Sequence, residues 1–217
     1  YLGIALKSFR IQATEGTTTR MKKSAINDFP ILDQLRDRWS PRAFSSRPVP
    51  PESVRSLLEA ARWAPSCFNA QPWRFIIATR ETDSEFQSAL SCLVEGNQKW
   101  AQHAPVLLFA IARMNFENGR ENRHALYDTG QAMALLSVQA TTLGLFVHQM
   151  AGIVHDQIQQ IYGLPEGYEA VSAAAIGYYG ETDTLAENLR EMEVAPRARM
   201  ALSETVYANA WKQPAPL

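Results

Sequence analysis

Cysteine is scarce in this chain: Cys67 and Cys92 are the only two among 217 residues. Neither belongs to a Cys-x-x-Cys or Cys/His grouping at metal-ligand spacing, and a chain of this length does not need a disulfide, so both are read as buried or idle thiols. A dominant charge is missing as well. With 21 Lys and Arg against 22 Asp and Glu, the formal net charge is −1. That gives no global basic field for a nucleic-acid backbone, and any anion site must be local. The longest purely apolar run, Val106–Ala112, falls well short of the roughly 20 residues of a membrane-spanning helix. His103, His124, His148 and His155 are scattered, without ligand spacing to one another or to carboxylates, so metal catalysis has no support. Gly-x-Ser-x-Gly, Gly-x-Gly-x-x-Gly and Gly-Lys-Ser/Thr motifs are also lacking, which excludes a serine-hydrolase elbow, a resident Rossmann domain and a phosphate loop of the NTPase type.

What is present is a chain with 46% hydrophobic residues, enough for one domain with a substantial core. Residues 1–24 are apolar at first, then Thr-rich and without periodicity. They are expected to form a flexible leader or extension, with Met21-Lys22-Lys23 a candidate start and 25–217 a single domain. Pro30–Arg38 carries Ile31, Leu32 and Leu35 at helical spacing. Pro50-Pro51-Glu52-Ser53 opens a stronger helix, with Val54, Leu57, Leu58 and Ala61 on one face, that ends before Pro65. Arg74–Thr79 reads as a strand, and Ser84–Ala104 as a helical stretch broken near Glu95-Gly96-Asn97. Val106–Ala112 reads as a strand buried on both faces, and Tyr127–Leu143 as a largely buried helix. Gly144–Met150 and Glu169–Tyr178 are further strands, separated by a helix over Val154–Tyr162 that Gly163 stops. Strands alternating with helices predict a mixed α+β layer architecture.

Two segments flanking the Pro50 helix carry chemistry. In Arg38-Trp39-Ser40-Pro41-Arg42 the two cations and the hydroxyl fall two residues apart, so an extended or turning backbone projects them to one side, where an anion could be held. Ala64-Pro65-Ser66-Cys67-Phe68-Asn69-Ala70-Gln71-Pro72-Trp73 is a polar loop bounded by prolines, which hold donors in place at little ordering cost. Near the carboxyl end, Pro196-Arg197-Ala198-Arg199 repeats the two-residue spacing of cations; read alone it is equally a solvated basic turn. Asn97 offers an amide that donates and accepts at once, with Lys99 as the neighbouring alternative and a helix cap as the structural one.

Together these segments resemble the nitroreductase-like FMN flavoproteins, over about Phe29 to Trp211 and in five ordered segments. The resemblance implies an α+β fold with a central, mostly antiparallel sheet surrounded by helices, and an intertwined homodimer with FMN at the subunit interface. Arg38, Trp39 and Ser40 would belong to the phosphate turn, Arg197 and Arg199 would close over the phosphate, and Arg42 would reach the pyrimidine edge of the ring. Pro65, Ser66, Asn69 and Gln71 would lie in the loop that covers the partner's flavin, with Gln71 and Trp73 also readable as structural. Asn97 would read the pyrimidine edge, and the Ala151 and Gly152 backbone would face N5, glycine letting the ring approach. The implied activity is an oxidoreductase that takes hydride from NAD(P)H by a ping-pong cycle and reduces nitroaromatics, quinones or similar small-molecule acceptors, without a catalytic side chain, a metal, a nucleic acid or a membrane, and in the cytoplasm. Reductive dehalogenation is an alternative within the resemblance, although the Asn115–His124 stretch shows no Tyr/Glu/Lys set for it. A flavin-binding storage or regulatory protein is the alternative outside enzymology.

Overall fold

The structure, a computed structural model, describes residues 23–216. The expected leader lies outside them except for Lys23 and Ser24, and these two are tied to the body. Lys23 Nζ donates to the Glu193 carbonyl at 2.7 Å, and Ser24 Oγ donates to Asp37 at 2.7 Å.

Four strands, β1 (Trp73–Thr79), β2 (Val106–Arg113), β3 (Phe146–Met150) and β4 (Tyr168–Gly177), form one sheet in the order β1-β2-β4-β3. Every neighbouring pair is antiparallel. The helices are α1 (Asp33–Asp37), α2 (Pro51–Arg62), α3 (Asp83–Ser91), α4 (Glu95–Ala101), α5 (Ala125–Thr142), α6 (His155–Tyr162) and α7 (Glu187–Val194). Strand β2 shows why the sheet lies at the centre. Leu107, Phe109 and Ile111 face a core built with Phe86 of α3, Trp100 of α4 and Ile158 of α6. Val106, Leu108 and Ala110 face a second core with Leu57 of α2 and Met133 and Leu136 of α5. Alternate residues therefore bury on opposite faces, and the strand reads as a continuous apolar run because both faces are covered by helices.

Most expected elements are present, and their ends move for local reasons. Pro51 begins α2 at a position where a missing N–H costs nothing. The third strand starts at Phe146 rather than Gly144, because Gly144, at φ +70°, belongs to the turn that ends α5. The break in the 84–104 stretch falls at Cys92–Val94, and Gly96 and Asn97 lie inside α4. The Pro30–Arg38 helix shrinks to α1, and its apolar residues Ile31, Leu32 and Leu35 stay exposed, Leu32 at 66%. Their helical spacing was legible, but the described residues leave them largely uncovered.

One contact outside the regular strands positions the site. Residues 43–45 run beside the end of β4: Ser45 N–H donates to Tyr178 O and Gly180 N–H to Ala43 O, both at 2.9 Å. The backbones approach so closely that a Cβ on Gly180 would lie 2.4 Å from the Phe44 carbonyl carbon. Glycine is required at that position.

Candidate functional site

The Arg38–Arg42 turn leaves α1 and lies at the edge of the sheet beside β3. Arg38 Nη1 reaches Ser40 Oγ at 3.3 Å, and the chain then fastens at its next residues. The carboxylate of Glu193, on α7 and 1% exposed, accepts from Arg42 N–H at 2.9 and 3.0 Å and from Ala43 N–H at 3.1 Å. A buried carboxylate receiving three hydrogen bonds from two main-chain N–H groups is well satisfied. A few residues beyond Glu193, the same segment delivers Arg197 and Arg199. Arg197 Nη1 donates to the Lys23 and Arg36 carbonyls at 3.0 and 2.8 Å, tying the carboxyl-terminal segment to both the first described residues and α1.

The result is a gathering of cations. Burial first, then the charges of Arg197 and Arg199, pull the Arg38 guanidinium below its ordinary value. Burial and then Arg199 do the same to Arg197, with Asp37 acting against them. Lys23 is lowered by burial and by Arg197 and Arg42, against an opposing pull from Glu193. Like charges held this close raise one another's energy, and a multiply charged anion at their centre would relieve all of them.

From the cations, contacts lead along β3. Pro41 O accepts from His148 Nδ1 at 2.9 Å, so the neutral ring carries its proton there. Burial is the main reason the His148 ring is pushed down to about 4, with the Arg42 charge adding to it. His148 packs on Trp100 with ring centroids 4.5 Å apart, and the Arg42 guanidinium lies 5.9 Å from the same indole. On α4, one turn before Trp100, Asn97 Nδ2 donates to Gly152 O at 3.1 Å, and Val94 N–H donates to the same carbonyl at 3.1 Å. Arg38, Ser40, Arg42, Asn97, Ala151, Gly152, Arg197 and Arg199 thus belong to one connected region, charged at one end and amide-lined at the other.

Several expectations need correction. The Trp39 side chain is 4% exposed and packs on Phe146 and Tyr179, so the indole is core and only its backbone belongs to the turn. Gly152 is small because α4 presses on it: a Cβ would meet Asn97 Nδ2 at 2.6 Å and Val94 Cγ2 at 2.7 Å. That is a packing demand within the protein. Asn97 neither caps a helix nor keeps its donor free; it retains its carbonyl oxygen as an acceptor. Arg197 is in part a structural tie, and exposed Arg199 donates to Ala198 O at 2.7 Å.

The 65–71 loop is placed apart from this region. It precedes β1, while Ala151 and Gly152 follow β3, and these strands are opposite edges of the sheet. Three strand spacings separate them, roughly 14 Å. The loop is braced locally: Ser66 Oγ accepts from Gln71 N–H at 3.0 Å, and the buried Asp128 accepts from Cys67 N–H at 2.9 Å. Pro65, Asn69 and Gln71 are exposed and Ser66 half-buried.

Lys23, Glu193 and His148 are participants that sequence reasoning missed. Lys23 was assigned to the leader. Glu193 contacts a turn about 150 residues away, which no local pattern reveals, and His148 was set aside because it has no ligand partner. Cys67 and Cys92 are both free thiols, Cys92 buried with its thiol pushed up mainly by burial. Among the described residues no helix is long and apolar enough to cross a membrane.

An antiparallel sheet between two helical layers, with an arginine turn pinned beside one edge, defines an α+β protein with cations gathered at its surface. The Nitroreductase family profile matches residues 35–178, and the chain belongs to that family and has its fold. The match contains the arginine turn, the 65–71 loop, Asn97 and Gly152, and ends before Arg197 and Arg199. A solved structure described as an oxidoreductase containing FMN is 35% identical, with a TM-score of 0.83, over 90% of this chain and all of that one. An NADH dehydrogenase of Thermus thermophilus is 30% identical over 70% of this chain and 89% of its own. An FMN reductase [NAD(P)H] of Bacillus subtilis is 26% identical over 68% of this chain, which spans 65% of that protein's length.

Proposed function

We propose that this protein is an FMN-dependent oxidoreductase that takes reducing equivalents from NAD(P)H by a ping-pong cycle and passes them to nitroaromatic, quinone or similar electron-poor acceptors. The observation that carries the proposal is the convergence of Arg38, Arg197 and Arg199, from opposite ends of the chain, beside a turn whose pinning carboxylate, Glu193 of α7, is turned inward. That cluster fits a phosphate with nearly two charges, and the donor set beyond it fits a heterocycle edge. Arg42 supplies a cation, Asn97 an acceptor oxygen and the 151–152 segment main-chain groups. The FMN-containing relative at 35% identity and the named reductases support the same reading.

FMN supplies, when bound, two-electron chemistry between a nicotinamide and the acceptor. The protein's part is to bind, orient and polarise. Arg38, Ser40, Arg197 and Arg199 would hold the phosphate. The Arg42 cation, pinned through its N–H to Glu193, would sit by the pyrimidine edge and raise the reduction potential electrostatically. His148, neutral at physiological pH, braces the Pro41 carbonyl and adds no charge.

The proposal includes a homodimer. Pro65, Ser66, Asn69 and Gln71 lie at the opposite sheet edge from the cation cluster, so they could serve only the cofactor of a second copy. Exposed apolar residues at the start of α1 and on α5, among them Leu32 at 66% and Tyr127 at 68%, together with Trp63 at 71%, supply a surface for that contact. A cytoplasmic location is part of the proposal. Anaerobic mixing with NADH and NADPH, followed by addition of a nitroaromatic or quinone, tests the cycle. Bleaching by the nicotinamide and recolouring by the acceptor is the expected sequence; a bound flavin that neither nucleotide reduces would contradict it.

A further inference from the structure

A cleft of about 680 Å3 opens between the 65–71 loop and the 113–120 segment. The Arg38–Arg42 turn and the Arg197–Arg199 segment are not among its walls. Three cations line it, Arg74, Arg113 and Arg120, against one carboxylate, Glu117.

Arg113 carries the argument. It closes β2 at the point where the strand's buried run stops. Its guanidinium is mostly buried yet poorly compensated. Nη2 reaches Ala70 O at 3.3 Å, and Nη1 lies 3.9 Å from a Glu117 carboxylate that is 90% exposed. Nε is buried without any hydrogen-bond partner. Arg113 therefore brings to the cleft wall a guanidinium, 20% exposed, that its own protein compensates only in part, and the part that reaches the cleft suits an anion. Arg120 adds a second charge from a short hairpin closed by pairing of Asn115 with Glu121.

The remaining walls are aromatic and amide. Phe68 is 92% exposed and meets Phe116 edge-on, with centroids 6.1 Å apart. Leaving a phenyl ring in water forgoes its burial. This one is also held at φ +52°, beside Asn69 at +55° and Gln71 at +44°, by the Ser66 and Asp128 hydrogen bonds described above. The loop therefore holds an apolar face ready beside a cationic one.

We propose that this cleft binds an aromatic carboxylate, its ring packed against Phe68 and the edge of Phe116 and its acid group on Arg113 and Arg120. The binding itself does not depend on the flavin. Where the homodimer reading holds, the cleft shares Asn69 and Gln71 with the loop that covers the partner's cofactor, so the ligand is an acceptor and the enzyme prefers anionic to neutral ones.

The test is calorimetric titration of the protein as purified with 2-naphthoate and, in parallel, with its neutral isostere 2-naphthamide. The acid should bind at least tenfold more tightly at low salt, and the advantage should shrink as NaCl is raised. Phe68→Ala and Arg120→Ala change exposed or cleft-lining residues without core packing. Each should weaken the acid at least threefold while leaving the melting temperature unchanged. Arg38→Ala, on the opposite sheet edge, should retain naphthoate binding even where its flavin is lost, which separates this site from the cofactor site. Equal binding of acid and amide, indifference to both cleft variants, or loss of naphthoate together with flavin in Arg38→Ala would each overturn the proposal.

Discussion

Replacing Arg38 with alanine should act in opposite directions on the loaded and the empty protein, and that difference distinguishes a cofactor site from a structural cluster. In the empty protein Arg38 is partly buried and repelled by Arg197 and Arg199. Its hydrogen bond within the chain, to Ser40 Oγ at 3.3 Å, is exposed. Removing it relieves repulsion at almost no cost in contacts. Because solvent screens much of that repulsion, the gain is small, and the apoprotein should melt at the same temperature or slightly higher. With FMN bound, the same change deletes a charge-assisted phosphate contact worth about 1.5–3 kcal/mol, or roughly a 10- to 150-fold weaker Kd. The assay is flavin-fluorescence titration of apoprotein at low and high NaCl beside a thermal melt of the same samples. The variant should also show a shallower salt dependence, having one charge fewer near the phosphate. An apoprotein that is clearly destabilised while its FMN affinity is unchanged would refute the reasoning and leave the cluster a structural feature.

Glu193→Gln should lower both stability and FMN affinity, because one carboxylate oxygen facing the Arg42 N–H becomes an amide donor; the expected cost in urea unfolding is about 1–3 kcal/mol, and two unchanged readouts would remove the clamp. Gly180→Ala should be destabilising by about 1–3 kcal/mol or more, since its Cβ would meet the backbone of Phe44 and Ser45 at 2.4–2.5 Å and no side chain can rotate away; a stability equal to the parent's would contradict the close approach. His148 predicts an acid dependence. Its folded value near 4 lies below the ordinary 6.5, so on acidification the unfolded chain takes up the proton first. The contribution is full above about pH 6.5 and is lost as the pH falls toward 4, by roughly 2–3 kcal/mol at pH 4.5. His148→Phe should flatten that part of the pH–stability curve, and an unaltered slope would show that the ring is not held neutral.

Local pattern made much of the fold legible. The period of Val54, Leu57, Leu58 and Ala61 marked α2, and the uninterrupted apolar run at 106–112 marked a strand covered on both faces. The order of the strands was not legible from local signals. A β-α-β alternation suits parallel crossovers as readily as the antiparallel order found here, and the antiparallel sheet came from the family resemblance. In the site, the two-residue spacing of Arg38 and Ser40 is a backbone property, and their side chains do meet, at 3.3 Å. The inward turn of Trp39, the pressure of α4 on Gly152 and the Glu193 clamp are products of tertiary packing. Glu193 and Arg42 lie 151 positions apart, and nothing in the composition of either segment announces the other. Lys23 was hidden for a different reason: it adjoins a stretch without periodicity, and its role depends on carbonyl groups of α7.

The most direct test of the central claim is the visible absorption spectrum of the purified protein, with any chromophore released, identified and tested for bleaching by NADH and NADPH. The account predicts a yellow protein carrying FMN, or an apoprotein that takes it up on reconstitution, whose colour is discharged by a reduced nicotinamide. A colourless protein that cannot be loaded with FMN would contradict it, and would mean that the cations gathered at Arg38, Arg197 and Arg199 hold some other anion.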